Sequence, residues 1–203
     1  MLELEVDRFE EEIAAFEWED EAKGYQKDVV LFVGSSSIRM WESLEVEMEG
    51  LNVLNRGFGG GTMHELNDYW PRIIGKHQPS LVVVYCGEND LAEGADTIST
   101  TYQITTFLQQ VKTTLPTIPI LYIAMKPSLD RITLWPTFQA IDQEVMLMVD
   151  KTENLFFLDL SATMLADGTL KPDIFEEDGL HMNPQGYAGW TSELKPVIKK
   201  LLK

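Results

Sequence analysis

Residues 28–41 read Asp-Val-Val-Leu-Phe-Val-Gly-Ser-Ser-Ser-Ile-Arg-Met-Trp and constrain the fold more than any other stretch. The apolar, β-branched and aromatic run Val29–Val33 has the character of a strand buried on both faces. Gly34 permits a sharp exit from it. After three serines the apolar spacing becomes helical, so Ser35 or Ser36 falls near a helix N-terminus. Such a hydroxyl either caps the helix or stands at the carboxyl end of a parallel strand, where open α/β sheets take their ligands. Capping is the commoner use, and this stretch alone does not separate the two.

Hydrophobic segments alternate along the chain in the same way. A surface helix is expected over residues 7–22, with Phe9, Ile13 and Phe16 on one face. Strands are expected at Val29–Val33, Leu51–Leu54, Leu81–Tyr85, Ile120–Ala124 and Leu155–Leu158. The helices between them pass through Trp41, Leu44 and Met48, then Leu66, Trp70 and Ile73 with Thr62 as cap. Two more pass through Ile104, Phe107, Leu108 and Val111, and near Phe138–Val149. A last helix carries Tyr187, Trp190, Leu194, Val197 and Leu201 and is expected to kink or break at Pro196. Strands alternating with helices predict a parallel sheet covered on both faces, a three-layer α/β/α fold. The strand order 2-1-3-4-5 is the flavodoxin-like habit of such sheets. The 203 residues suffice for one domain over 1–203, with residues 1–27 as an N-terminal helix and lead-in.

A net charge of -17 speaks against nucleic acid and anionic membranes as partners, since both select basic patches. The single cysteine, Cys86, lies in an apolar run and is expected to be a buried thiol. The acidic N-terminus has no apolar signal core and no run approaches a membrane span, so a cytoplasmic location is expected for the chain as given.

Three successive strands end in small polar turns, at Ser36, at Gly60 and at Asn89. In a parallel sheet these ends lie along one edge. The glycines at 57 and 59–61 expose backbone N–H groups at a helix start, which suits an anion or a developing oxyanion. Their spacing does not complete a dinucleotide fingerprint, and no lysine follows to make a phosphate-binding loop. Asn89 alone is as well explained by a cap or an Asx turn. Near the C-terminus, Asp178-Gly179-Leu180-His181-Met182-Asn183-Pro184 contains one of only three histidines. At a separation of three, the Asp178 carboxylate can bond one imidazole nitrogen and leave the other free to take a serine proton. No HExxH motif or Cys/His cluster suggests a metal. His64 and His77 are expected at helical surface positions and are given no role.

Four ordered blocks, Gly34-Ser35-Ser36, Gly57–Gly60, Gly87-Glu88-Asn89-Asp90 and Asp178-Gly179-Leu180-His181, together resemble the SGNH (GDSL-type) hydrolases, a family of esterases and lipases. The resemblance runs from about residue 28 to the C-terminus. It implies Ser36 as nucleophile, His181 as general base and Asp178 as its orienting acid. It further implies an oxyanion hole from the N–H groups of Ser36 and Gly60 and the side-chain amide of Asn89. Two positions depart from the family pattern: Ser35 replaces the aspartate of Gly-Asp-Ser, and Gly61 stands where an Asp often follows the second-block glycine. Neither is a member of the implied triad.

The implied activity is carboxylic ester hydrolysis through an acyl-enzyme, on short, acetyl-like acyl groups because no long apolar lid segment is evident. The partner expected is a small-molecule ester, with neither nucleic acid nor membrane. Self-association into a homo-oligomer is left open. No metal or organic cofactor is implied. Phe58, Met63, Arg131, Trp135, Leu180 and Met182 are candidates for lining a substrate pocket, with core packing the equal alternative for the apolar ones. Acyl transfer to a sugar or another alcohol, or O-deacetylation of a carbohydrate, would use the same parts. An α/β-hydrolase plan would instead take Asp159, at the end of the fifth strand, as the acid, but it requires glycine where Ile38 stands. A flavodoxin-like binding protein with a decayed site is the non-enzymatic rival.

Overall fold

The computed structural model describes residues 8–203, so the expected helix start at residue 7 lies outside the described residues. Five parallel strands, β1 (Lys27–Gly34), β2 (Val53–Gly57), β3 (Gln78–Tyr85), β4 (Ile120–Ile123) and β5 (Leu155–Leu158), form one sheet in the order 2-1-3-4-5. Side chains alternate across it and divide the core in two. Leu31, Val33, Val82, Val84, Ile120 and Tyr122 face one side. There they meet α1 (Glu10–Lys23), α4 (Met63–Ile73), α6 (Thr97–Thr114) and α7 (Trp135–Val149). Val30, Phe32, Leu81, Val83, Tyr85, Leu121 and Ile123 face the other. That side is covered by the single turns α2 (Ser36–Arg39) and α3 (Leu44–Glu47) and by α8 (Pro184–Leu201). Each fully buried aliphatic side chain in these layers contributes about 1.5–3 kcal/mol. The fold is the expected three-layer α/β/α. No helix among the described residues is long and apolar enough to cross a membrane.

The segment after Ser36 is not the continuous helix that its spacing predicts. The Trp41 N–H bonds Ile38 O and the Leu44 N–H bonds Trp41 O, three residues back instead of four, and α2 and α3 stay separate. This tighter path sets Trp41 against Phe32, Tyr187 and Trp190, with the Tyr187 ring stacked at 5.1 Å. The apolar residues are buried as expected; the backbone that carries them is not one helix.

The second strand lies later than Leu51–Leu54 because it runs on through polar residues. Asn55 donates to Ile38 O, and the buried Arg56 pairs with Asp20 and Glu19 of α1. His77 is likewise not on a helical surface. It is buried, accepts the Gln26 N–H at Nδ1 (3.1 Å) and sits 3.0 Å from Asp20 through Nε2. Burial lowers its pKa, Arg56 adding to that and Asp20 opposing it. The neutral ring with its proton on Nε2 therefore joins α1 to the sheet. His64 is exposed on α4.

Pro196 lies inside α8, which continues through it to Leu201. The carbonyl that proline deprives of an N–H partner belongs to Ser192, which lies on the exposed side of the helix. A short hairpin, β6 (Leu165–Ala166) with β7 (Thr169–Leu170), was not foreseen. Its turn is Asp167-Gly168, both at positive φ, the standard dipeptide signal for such a connection.

Candidate active site

At the end of β1 the chain can turn only because residue 34 is glycine. Gly34 has φ +141°, and a Cβ there would lie 1.9 Å from the Tyr85 carbonyl oxygen of the neighbouring strand. The next N–H, of Ser35, donates to that same carbonyl (3.1 Å), which welds the turn to β3. Ser35 and Ser37 are buried, and Ser37 O accepts from the Tyr187 hydroxyl. Ser36, between them, is half-exposed and opens α2, so its N–H has no partner within that helix. Ser36 alone of the three reaches the histidine: His181 Nε2 is 2.8 Å from its Oγ.

His181 is delivered by the loop between β7 and α8. The loop is closed by Glu176 N donating to His181 O and by a bridge between Phe175 and Met182. Asn183 then caps α8, accepting from Gln185 N and Gly186 N. His181 Nδ1 lies 2.5 Å from Asp178 Oδ2. The other oxygen of Asp178 accepts the N–H groups of Leu180 and His181, each at 2.9 Å. Burial by itself would raise the Asp178 pKa. The bonds from the His181 ring and from these two N–H groups outweigh it and hold the carboxyl at about 2. Asp159, the rival acid, is exposed at the end of β5 and accepts from Ser161 N instead.

Gly60, at φ +74°, lies in the turn between β2 and α4. Thr62 begins α4 with a capping box closed by Glu65, as the sequence led one to expect of a cap at this residue. The turn is fastened from two sides. From α5 (Glu88–Ala92), Asn89 Nδ2 donates to Gly61 O (3.0 Å) and the Asp90 carboxylate accepts Met63 N (2.9 Å). Burial pushes Asp90 up to about 6 despite the N–H groups it accepts. From α1 and the residue range before it, the Glu12 carboxylate accepts Gly59 N (3.2 Å) and Arg8 donates to Gly60 O (3.3 Å).

Asn89 is the second residue of α5, whose N-cap is Gly87, so it is not a helix cap. Its Oδ1 accepts from Arg131 Nη1 at 2.9 Å. Cys86 is buried as expected, its thiol pushed well up by that burial. Of the pocket candidates, Phe58 and Met63 are fully buried against Phe9, Tyr69 and the first core layer, and Met182 is buried in the second. These three are packing residues, because their apolar surface is already spent on neighbours. Trp135 is half-buried against the first layer. Leu180 is half-exposed beside His181, and Arg131 reaches the site through Asn89. The pairing of Arg131 with Glu88, and of Glu88 in turn with Lys126, was not read from the sequence. Only their charge in an otherwise apolar neighbourhood hints at it, and contact across 38 residues leaves no periodic signal.

Solved structures of similar fold include a protein from Streptococcus pneumonia provisionally named a platelet activating factor. It has TM-score 0.81 and 17% identity, with 93% of this chain and 92% of that one covered. A GDSL-like lipase from Bacteroides thetaiotaomicron aligns at TM-score 0.78 and 18% identity over 93% and 97%. A mutant acetyl esterase with acetate ion aligns at 0.65 and 15% over 88% and 98%. No curated protein matches the chain in sequence. The model of the GDSL-like lipase/acylhydrolase family matches residues 22–188, which takes in Ser36, Gly60, Asn89, Asp178 and His181. The chain belongs to that family, and its chemistry is that of a serine-dependent ester hydrolase.

Proposed function

We propose that the protein hydrolyses small, short-chain acyl esters through an acyl-enzyme on Ser36. The observation that carries this reading is the line Ser36 Oγ to His181 Nε2 to Asp178, with contacts of 2.8 and 2.5 Å. Asp178 keeps the proton of His181 on Nδ1, so Nε2 is free to take the serine proton as Oγ attacks the ester carbonyl. The tetrahedral oxyanion is received by the N–H groups of Ser36 and Gly60 and by Asn89 Nδ2. His181 then gives its proton to the leaving alcohol, and a water activated by the same nitrogen releases the acid. Two observations support a short acyl group. Phe58, Met63 and Met182 are taken up in the core and offer no apolar channel, and an acetyl esterase shares the fold.

The test is a p-nitrophenyl ester series from acetate to decanoate, with a fluorophosphonate to label the nucleophile. Labelling at Ser36 is expected, with kcat/KM highest for acetate and falling along the series. Rates that climb with chain length would replace the short-chain reading, and absence of labelling would remove the acyl-enzyme.

A further inference from the structure

An amide side chain serves as a hydrogen-bond donor in one direction only if something fixes which end faces which way. Asn89 is buried, and its two ends meet groups of opposite character. Nδ2 gives one hydrogen to Gly61 O (3.0 Å), leaving a second. Oδ1 receives Arg131 Nη1 (2.9 Å). A guanidinium can only donate, so it tolerates Oδ1 and rejects Nδ2. Turning the amide over would bring donor against donor at Arg131 and acceptor against acceptor at Gly61.

Arg131 is itself held. Its Nη1 is 3.6 Å from Glu88 Oε2, and Lys126 Nζ lies 3.1 and 3.2 Å from the two oxygens of Glu88. Lys126 is 1% exposed and Glu88 5%. The remaining carboxylate near Arg131 is Asp130, exposed and 3.7 Å from Nε. Burying a lysine–glutamate pair is costly and adds little net stability. Its place beside Asn89 gives it a different use. We propose that Arg131, backed by Glu88 and Lys126, is a positioning residue for the oxyanion hole. It locks the orientation of the Asn89 amide and, by drawing on Oδ1, strengthens the remaining N–H as a donor. This rests on the assignment of Asn89 as an oxyanion donor made above.

The experiment is a double-mutant cycle with p-nitrophenyl acetate, measuring kcat, KM and melting temperature for Arg131→Ala, Asn89→Ala and the double variant. Asn89→Ala is expected to lower kcat by about 10²–10³. Arg131→Ala is expected to lower it by about 10–100-fold, the usual weight of an outer partner, with KM little changed. The double variant should be no slower than Asn89→Ala, because Arg131 has nothing left to orient. Arg131→Lys, which keeps a charge and a donor, should recover part of the loss and covers the case in which the alanine variant does not fold. Losses that multiply in the double variant, or a rise in KM at constant kcat, would overturn the assignment and make Arg131 a substrate contact. Asn89→Ala with wild-type kcat would instead remove the oxyanion reading itself, whatever Arg131 does.

Discussion

His181 Nε2 stands 2.8 Å from Ser36 Oγ although 145 residues separate them in the chain. Each is held by its own local structure, the serine by a turn welded to β3 and the histidine by a capped loop. The contact is therefore set by the packing of that loop and α8 against the sheet, where Tyr187 also donates to Ser37 O.

Ser36→Ala should leave the fold intact, since the hydroxyl's partner is a half-buried ring and no core atom is lost. Turnover of p-nitrophenyl acetate should fall by about 10⁴-fold or more. Fluorophosphonate labelling should vanish while the melting temperature stays close to that of the unchanged protein. Residual labelling at Ser35 or Ser37 would move the nucleophile.

Asp178→Asn should lower kcat by about 10⁴-fold, because the amide leaves the imidazole in the wrong tautomer. Asp159→Asn should leave kcat unchanged. The opposite ranking on folded variants would transfer the orienting role to β5. Since Asp178 stays ionised down to about pH 2, its own protonation is not what limits activity in mildly acidic buffer.

Much of this was legible in the sequence. The run Val29–Val33, the Thr62 cap and Leu155–Leu158 each depend on neighbours in the chain, and each lies where local pattern puts it. Asp178 and His181 were legible for the same reason, being three residues apart. Trp41, Leu44 and Met48 misled because burial and helix share a spacing, and three-residue hydrogen bonds satisfy it equally well. The burial of His77 and the contact that Arg131 makes were illegible in a deeper sense. Their partners, Asp20 and Asn89, are 57 and 42 residues away, and a polar residue carries no mark of which distant group will bury it.

Asp142 gives a pH-dependent stability. Burial, opposed by the N–H of Met125 and reinforced by Asp159 and Glu88, pushes its carboxyl up to about 8, and its Oδ1 has no partner among the described residues. Below about pH 4 the group is protonated in both folded and unfolded chains. Between there and pH 8 the unfolded chain releases a proton that the folded one keeps, so this contribution is lost as pH rises through the folded value. Asp142→Asn, which has no proton to release, should therefore gain stability over the unchanged protein as pH rises from about 4 towards 8. Denaturant titrations at the two ends of this range check it; an equal difference at both would defeat it.

Two glycines with positive φ should behave differently. Gly34→Ala drives a methyl into the Tyr85 carbonyl and should cost on the order of 4 kcal/mol or more, enough to abolish soluble protein. A methyl at Gly60 would meet nothing within 4 Å, so Gly60→Ala should cost about 1–2 kcal/mol for the left-handed backbone alone. Expression yield and melting temperature of the pair measure the contrast.

The turn that bears Gly60 is gripped by Arg8 and Glu12, whereas the family match begins at residue 22. A recipe shared by many proteins is thus adjusted by a piece of chain outside it. For anyone engineering the protein, the segment bearing Arg8 and Glu12 is not neutral ground: a substitution there removes hydrogen bonds that hold the Gly59–Gly60 turn.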